Sequence, residues 1–256
     1  MDGEELPLER RQIILKRLQR DGKVLAADLS VEFGVSEDTI RRDLRDLASS
    51  GALLRVHGGA LPRSPSMAPF AQREKAVSEA TVAVARRAAG LVSDGQVIFL
   101  DGGTTMLEVA RWLDHGLRAT VVTVSPKAAL ALCGHERVEV ILIGGSLDKD
   151  SMTCCGASAL DAIRGLRADV CLLGICSLHP EIGITDVDYE EAVQKRAMME
   201  QSGEVIGVVT AEKLATASPY AVAPIGRLAR LVTEPGIVPR VLEPYRMAGI
   251  EIITGE

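Results

Sequence analysis

Val35-Ser36-Glu37-Asp38-Thr39-Ile40-Arg41-Arg42-Asp43-Leu44, followed by Gly51 and then Leu53-Leu54-Arg55-Val56-His57-Gly58-Gly59-Ala60, is the stretch that decides how the N-terminal part of the chain is read. At 100° per residue, Ile40, Leu44 and Leu47 fall within about 60° of one another and form a core stripe, while Arg41, Arg42 and Arg45 fan across the other side. Ser36 stands where an N-cap belongs. Upstream, Ala26 to Phe33 gives a short helix and Gly34 the turn into the next, which makes a helix-turn-helix with a wing behind it. Arg42 and Arg45 suit a guanine edge or a phosphate, and Ser36 and Thr39 near the helix N-terminus suit phosphate oxygens. Asp38 shares that face, as a cytosine acceptor or a brake on non-specific contact. Read alone, the T-I-R-R-D-L string is equally a solvated helix face with i, i+4 pairs.

The chain has 256 residues, 47% hydrophobic and 25% charged, with a formal net charge of -6. That is room for a small head and one larger core. Residues 1–62 hold 10 Lys+Arg against 11 Asp+Glu, so attraction to a duplex must come from local placement, with Asp2, Glu4, Glu5 and Glu9 held away from it. The five cysteines and four histidines have no metal-ligand spacing, so no metal site and no cofactor are expected and the thiols read as free. Met1 to Glu5 is acidic where a secretory leader would be basic, and no apolar run is long enough to span a bilayer, so a cytoplasmic protein without membrane contact is expected.

The expected organisation is a head over residues 1–62, a linker over 63–69 marked by Ser64, Pro65 and Pro69, and a second domain over 70–256. A long Ala-rich helix is expected from Phe70 to Leu91. Branched-apolar runs at Val97–Leu100, Thr120–Val124, Val138–Ile143, Val170–Gly174, Val205–Val209, Leu231–Thr233 and Glu251–Ile253 alternate with helical patterns. That alternation predicts an α/β domain with a mainly parallel sheet.

Phe99-Leu100-Asp101-Gly102-Gly103-Thr104-Thr105 ends one of these strands in two glycines and two hydroxyls ahead of a helix. Glycines let the backbone approach a phosphate and a helix N-terminus offers free amides. The same string also fits an ordinary strand-to-helix turn capped by threonine. Asp101 is either a ligand acceptor or a cap for that turn.

From Arg10 to Pro62 the chain resembles the N-terminal domain of the DeoR family of bacterial transcriptional regulators, through its V-S-x-x-T-I-R-R-D-L helix and G-x-L-x-R-x-H-G-G-A wing. From Phe70 onward it resembles the sensor domain of that family, which is similar in fold to ribose-5-phosphate isomerase and binds phosphorylated sugars or related metabolites. The resemblance implies an α/β protein: a winged helix-turn-helix head, with Arg55 and His57 in the wing among the DNA contacts, plus an α/β sensor domain. It implies an effector site drawn from Asp101, Gly102, Gly103, Thr104, Thr105, Ser125, Gly144, Gly145, Glu191 and Lys213. Val124, Asp148, Ser177 and Thr210 depart from the family pattern around that site, where asparagine, arginine, glycine and aspartate are usual. Asp148 removes an expected phosphate partner, for which Lys149 is the stand-in.

Glu191 and Lys195 lie at i, i+4 on a helix expected from Asp188 to Gln201, the arrangement of a surface ion pair. The alternative puts Glu191 on a sugar hydroxyl and Lys213 on the anionic end of a ligand. Two functions are weighed. One is a ligand-responsive regulator, most simply a homo-oligomeric repressor binding operator DNA and a small anionic metabolite. The other is an aldose-ketose isomerase carrying a DNA-binding head, for which Asp101, Glu191 and Lys213 are the nominal groups. Thr210 thins that catalytic set, and fold is not evidence of chemistry. The regulator, not an enzyme and with no catalytic residue, is the preferred reading.

Overall fold

The computed structural model describes residues 7–255. Asp2, Glu4 and Glu5, expected above to be held away from DNA, lie outside them. The head is built from α1 (Pro7–Asp21), β1 (Val24–Leu25), α2 (Ala26–Phe33), α3 (Glu37–Ser49), β2 (Leu54–Val56) and β3 (Gly59–Leu61). Gly34 takes the left-handed conformation (φ 62°) between α2 and α3, and the Ser36 side chain accepts from the Thr39 amide at 3.2 Å. Ile40, Leu44 and Leu47 pack with Ile14, Leu18 and Leu29. The wing pairs antiparallel in the order β1-β3-β2. A side chain at Gly59 would collide with the Val24 carbonyl, so the second glycine of the wing permits the β1–β3 approach.

Asp43, which the helical wheel leaves between the two faces, is 2% exposed and pairs with Arg10 at 2.6 Å and Arg11 at 2.8 Å. It fastens α3 to α1.

The segment expected as a linker is packed. Ser64 caps a 3-10 turn at Pro65–Met67 and donates to the Cys176 carbonyl, Arg63 bridges to Ala217, and the Phe70 amide donates to Asp150 O at 2.6 Å. The long helix expected over Phe70–Leu91 is two helices, α4 (Phe70–Lys75) and α5 (Glu79–Ala89). Ser78 ends the run: its hydroxyl accepts from the Thr81 amide at 3.1 Å and starts α5.

There follow β4 (Val97–Leu100), α6 (Thr104–Trp112), β5 (Ala119–Thr123), α7 (Pro126–Leu132), β6 (Val138–Leu142), β7 (Ser146–Asp148), β8 (Thr153–Cys155), α8 (Ala157–Arg164) and β9 (Ala168–Gly174). Then come β10 (Ser177–His179), β11 (Gly183–Asp186), α9 (Tyr189–Glu200), β12 (Ser202–Val208), β13 (Tyr220–Ala223), β14 (Arg230–Thr233), α10 (Pro239–Met247) and β15 (Glu251–Thr254). Seven strands form one parallel sheet in the order β15-β14-β12-β9-β4-β5-β6. All seven expected strands are its members. Successive residues feed opposite faces: Phe99, Cys171 and Leu173 go to one core layer, and Ile98, Leu100, Val170 and Leu172 to the other. The hairpin β7–β8 and the antiparallel trio β10-β11-β13 are additions that the apolar runs did not signal.

The chain leaves β4 toward β5 and β6 on one side, and later returns to place β9 on the other. The sheet order therefore reverses between β4 and β9. A crevice opens at the carboxyl ends of the strands at such a switch point, and Asp101 and Gly174 stand there.

Candidate functional site

On the head, Arg42 and Arg45 project from α3 into solvent and form no ion pair among the described residues, while Arg55 and His57 are exposed on the wing. Arg41 is exposed on the same side but is engaged within the helix. It bonds Glu37 at 2.7 Å and approaches Asp38 at 3.6 Å. Exposed i, i+4 pairs are worth only about 0.3–0.5 kcal/mol, so Arg41 is free to exchange partners. Ser36 and Thr39 have hydroxyls 3.0 Å apart at the start of the helix.

In the sensor domain the crevice is a small cavity lined by Ser66, Arg73, Gly102 to Thr105, Gly174 to Cys176, Glu191, Lys195 and Lys213. A side chain at Gly102 would collide with Thr153, and Gly103 has φ 95°, a conformation that favours glycine. Thr104 and Thr105 open α6, whose first-turn amides have no intrahelical partner.

Asp101 ends β4 and is 2% exposed; its Oδ2 accepts from the Gly174 amide at 3.0 Å and lies 3.2 Å from Lys195 Nζ. Lys195 is not on the surface. It is 4% exposed, sits 2.9 Å from Asp186 Oδ2 and donates to the Gly174 carbonyl at 2.7 Å. The expected surface pair with Glu191 is thus replaced by a buried Asp101–Lys195–Asp186 group, because α9 turns this face onto the ends of β9 and β11. Burial works against the Lys195 charge, but Asp101 and Asp186 hold its pKa well above the ordinary lysine value. Burial likewise opposes Asp186, and Lys195 overcomes it and lowers that carboxyl; at Asp101 burial prevails and raises the pKa.

Glu191 accepts from the Thr153 hydroxyl at 3.3 Å. Burial, opposed by Lys195 and reinforced by Asp186 and Asp101, pushes it up to about 7. Burial and the neighbouring Arg73 guanidinium both lower Lys213, which follows β12 in a 3-10 turn at Ala211–Lys213. Cys176, Asp186 and Glu191 present ligand atoms within 4.8 Å of one another. The Lys195 ammonium already fills the cation position there, 2.9 Å from Asp186 and 3.9 Å from Cys176 Sγ. Burial pushes the Cys176 thiol up to about 12, so it stays neutral.

Four expected effector residues fall outside the cavity lining, Asp101 among them, since its carboxylate is taken up by Lys195 and the Gly174 amide. Ser125 is buried and caps α7 by accepting from the Ala128 amide at 3.3 Å. Gly144 and Gly145 turn β6 into the β7–β8 hairpin, where a Cβ on Gly145 would lie 2.5 Å from the Cys155 carbonyl oxygen. Lys149 is exposed near the tip of that hairpin and is not part of the cavity lining, while Asp148 accepts from the Asp150 and Ser151 amides and shapes the turn. Of the other departures, Val124 packs in the core and Ser177 pairs its hydroxyl with Ser218 at 2.6 Å. The sequence reading missed Ser66, Arg73 and Asp186 and misplaced Lys195. Nothing local in F-A-Q-R-E-K distinguishes Arg73 from a solvated basic residue.

Residues 10–65 match the DeoR-like helix-turn-helix domain and residues 77–235 the DeoR C terminal sensor domain. The chain is 32% identical over 249 residues to a putative aga operon transcriptional repressor of Escherichia coli O157:H7, covering 96% of this chain and 93% of that protein. It is 34% identical over 206 residues to the glycerol-3-phosphate regulon repressor of Escherichia coli K12, covering 80% and 82%. Among solved structures, ribose 5-phosphate isomerase A of Methanocaldococcus jannaschii is similar over 53% of each chain, with 17% identity and a TM-score of 0.39. With a helix-turn-helix head, a sensor domain matched over most of its length and full-length relatives above 30% identity, the chain belongs to the DeoR family of DNA-binding transcriptional regulators.

Proposed function

We propose that the chain represses a carbohydrate or related catabolic operon in the cytoplasm. In this reading at least two copies present their α3 helices to operator half-sites, and a phosphorylated sugar or similar anionic metabolite in the sensor cavity changes that binding. The head is residues 1–62, the joining segment 63–69 and the sensor 70–256. One observation carries the effector class: the Gly102–Thr105 turn and Lys213 share one cavity with Glu191 and with Lys195, whose ammonium Asp101 holds from behind the lining. The first set suits an anion and the second suits hydroxyl groups. That one relative is named for a glycerol-3-phosphate regulon supports a phosphate ester as ligand. Among the described residues no helix is long and apolar enough to cross a membrane.

A second reading of the cavity, as an aldose-ketose isomerase, is favoured by Glu191 alone, since a pKa near 7 suits a general base. Against it, Asp101 and Asp186 are both engaged by Lys195, and Thr210 offers no acid.

The test is a thermal-shift screen of phosphorylated sugars and polyols joined to footprinting on the DNA upstream of the chain's own gene. A cognate ligand at a hundred times its Kd adds about 2.7 kcal/mol of stability. A protected operator that no anionic metabolite affects overturns the effector class. Turnover of ribose 5-phosphate that Glu191→Gln abolishes overturns the regulator reading of the cavity.

A further inference from the structure

Two cations face this cavity without an ion pair among the described residues. Its ion pairs are those of Lys195, whereas Arg73 and Lys213 have none among the described residues. Arg73 belongs to α4, directly after the segment that carries the head. Its Nε donates to the Ala68 carbonyl at 2.8 Å, which fixes the stem, and its Nη1 reaches to 3.9 Å from where a Cβ on Gly103 would stand. The guanidinium is therefore held over the Gly-Gly-Thr-Thr turn with its Nη groups open.

Placing a second cation, the half-buried Lys213, at the same cavity is costly without an anion; burial first and the Arg73 charge after it lower the Lys213 pKa. The joining segment is seated on the wall as well: the Ser66 hydroxyl donates to the Cys176 carbonyl at 3.4 Å, and its amide donates to Ser64 Oγ at 3.0 Å.

We propose that Arg73 is the principal anion ligand of the effector site, closing with Lys213 on one phosphate group that rests on the Gly102–Thr105 turn. This deepens the reading of the cavity as the effector site and rests on it. Arginine suits the task because its planar fork matches two phosphate oxygens at once. The consequence is that a ligand bridges the sensor core and the segment bearing the head. Binding then orders that segment directly.

The experiment titrates the full-length protein with inorganic phosphate, by calorimetry and by trypsin cleavage after Arg63. Wild type is expected to bind saturably and to be protected at Arg63. Arg73→Gln should weaken binding about tenfold or more and abolish the protection, with Arg73→Lys intermediate because it keeps the charge and loses the fork. Arg86→Gln, on α5 over the Trp112 ring and outside the cavity, should behave as wild type. If Arg73→Gln fails to fold, Arg73→Lys decides, and an unchanged affinity in it overturns the proposal. Loss of binding in Lys213→Met with none in Arg73→Gln removes Arg73 and leaves the cavity as the effector site. Absence of any saturable phosphate binding by wild type overturns the clamp, while operator footprinting of the same sample tells separately whether the DNA-binding reading stands.

Discussion

Lys195 Nζ stands 2.9 Å from Asp186 Oδ2 and 3.2 Å from Asp101 Oδ2, a buried cation shared by two buried carboxylates taken from different strand ends. Removing the cation leaves both buried acids without their shared counter-charge. Lys195→Met is expected to destabilise the protein by about 3–5 kcal/mol. Urea unfolding followed by circular dichroism measures it. A loss under about 1 kcal/mol would mean that the carboxylates find other partners.

Glu191 links stability to pH. Its carboxyl is neutral in the folded state up to about 7 but ionises near 4.5 when unfolded. The contribution is present in full below the unfolded value and is lost as pH rises through the folded one, since the native state holds the extra proton in that window. A decline of at most about 3 kcal/mol is expected between pH 4.5 and 7 from this group. Glu191→Gln should flatten that part of the profile, and a mutant profile parallel to wild type counts against the assignment.

Adjacent residues of α3 are expected to separate in their effects. Arg42→Ala should cost about 1–3 kcal/mol of operator affinity if the residue reads a base, with folding stability moved by no more than about 0.5 kcal/mol. Asp43→Ala should instead unfold the head, since it leaves the buried Arg10 without its carboxylate and Arg11 with Asp46 alone, a loss of about 3 kcal/mol or more. Mobility shifts and thermal melts on the two variants distinguish the roles. Equal behaviour in both assays contradicts the split.

Thr105 opens α6 in the cavity and is remote from the reading helix in sequence. Thr105→Ala should blunt the metabolite response and leave ligand-free operator binding intact. For the wild type, coupling of about 1–3 kcal/mol corresponds to a 5- to 150-fold change in operator affinity, and operator must alter metabolite affinity by the same factor. Titrations with and without DNA give both numbers. Equal metabolite affinity in the two excludes that ligand as the switch.

Head and sensor also touch through Lys23 and Glu181, 2.9 Å apart, and through Gly22, where a Cβ would meet Ala215 Cβ at 3.7 Å. Ala215 has φ 55°, an unusual conformation for alanine, two residues after Lys213. Ala215→Gly is expected to relieve strain of about 1 kcal/mol and raise the melting temperature. A lower melting temperature would show instead that the methyl packing against Gly22 outweighs the strain.

What the sequence determined by itself was local. The α3 stripe, the Ser36 cap, the Gly34 turn and the seven branched-apolar strands are short-range patterns of period and capping, and they survive folding because each residue's neighbours along the chain set them. The Gly102–Thr105 turn belongs with them. Tertiary structure decided the rest. An i, i+4 Glu–Lys spacing is the same string whether its helix face meets water or the ends of β9 and β11, so only packing could bury Lys195 between Asp101 and Asp186. Proline and serine mark a linker equally whether it is free or seated on Cys176, and Arg73 looks like any surface arginine until α4 folds over the turn. Charge, burial and the partner supplied from a distant strand fix those roles, and none of the three is written in the residue's own neighbourhood.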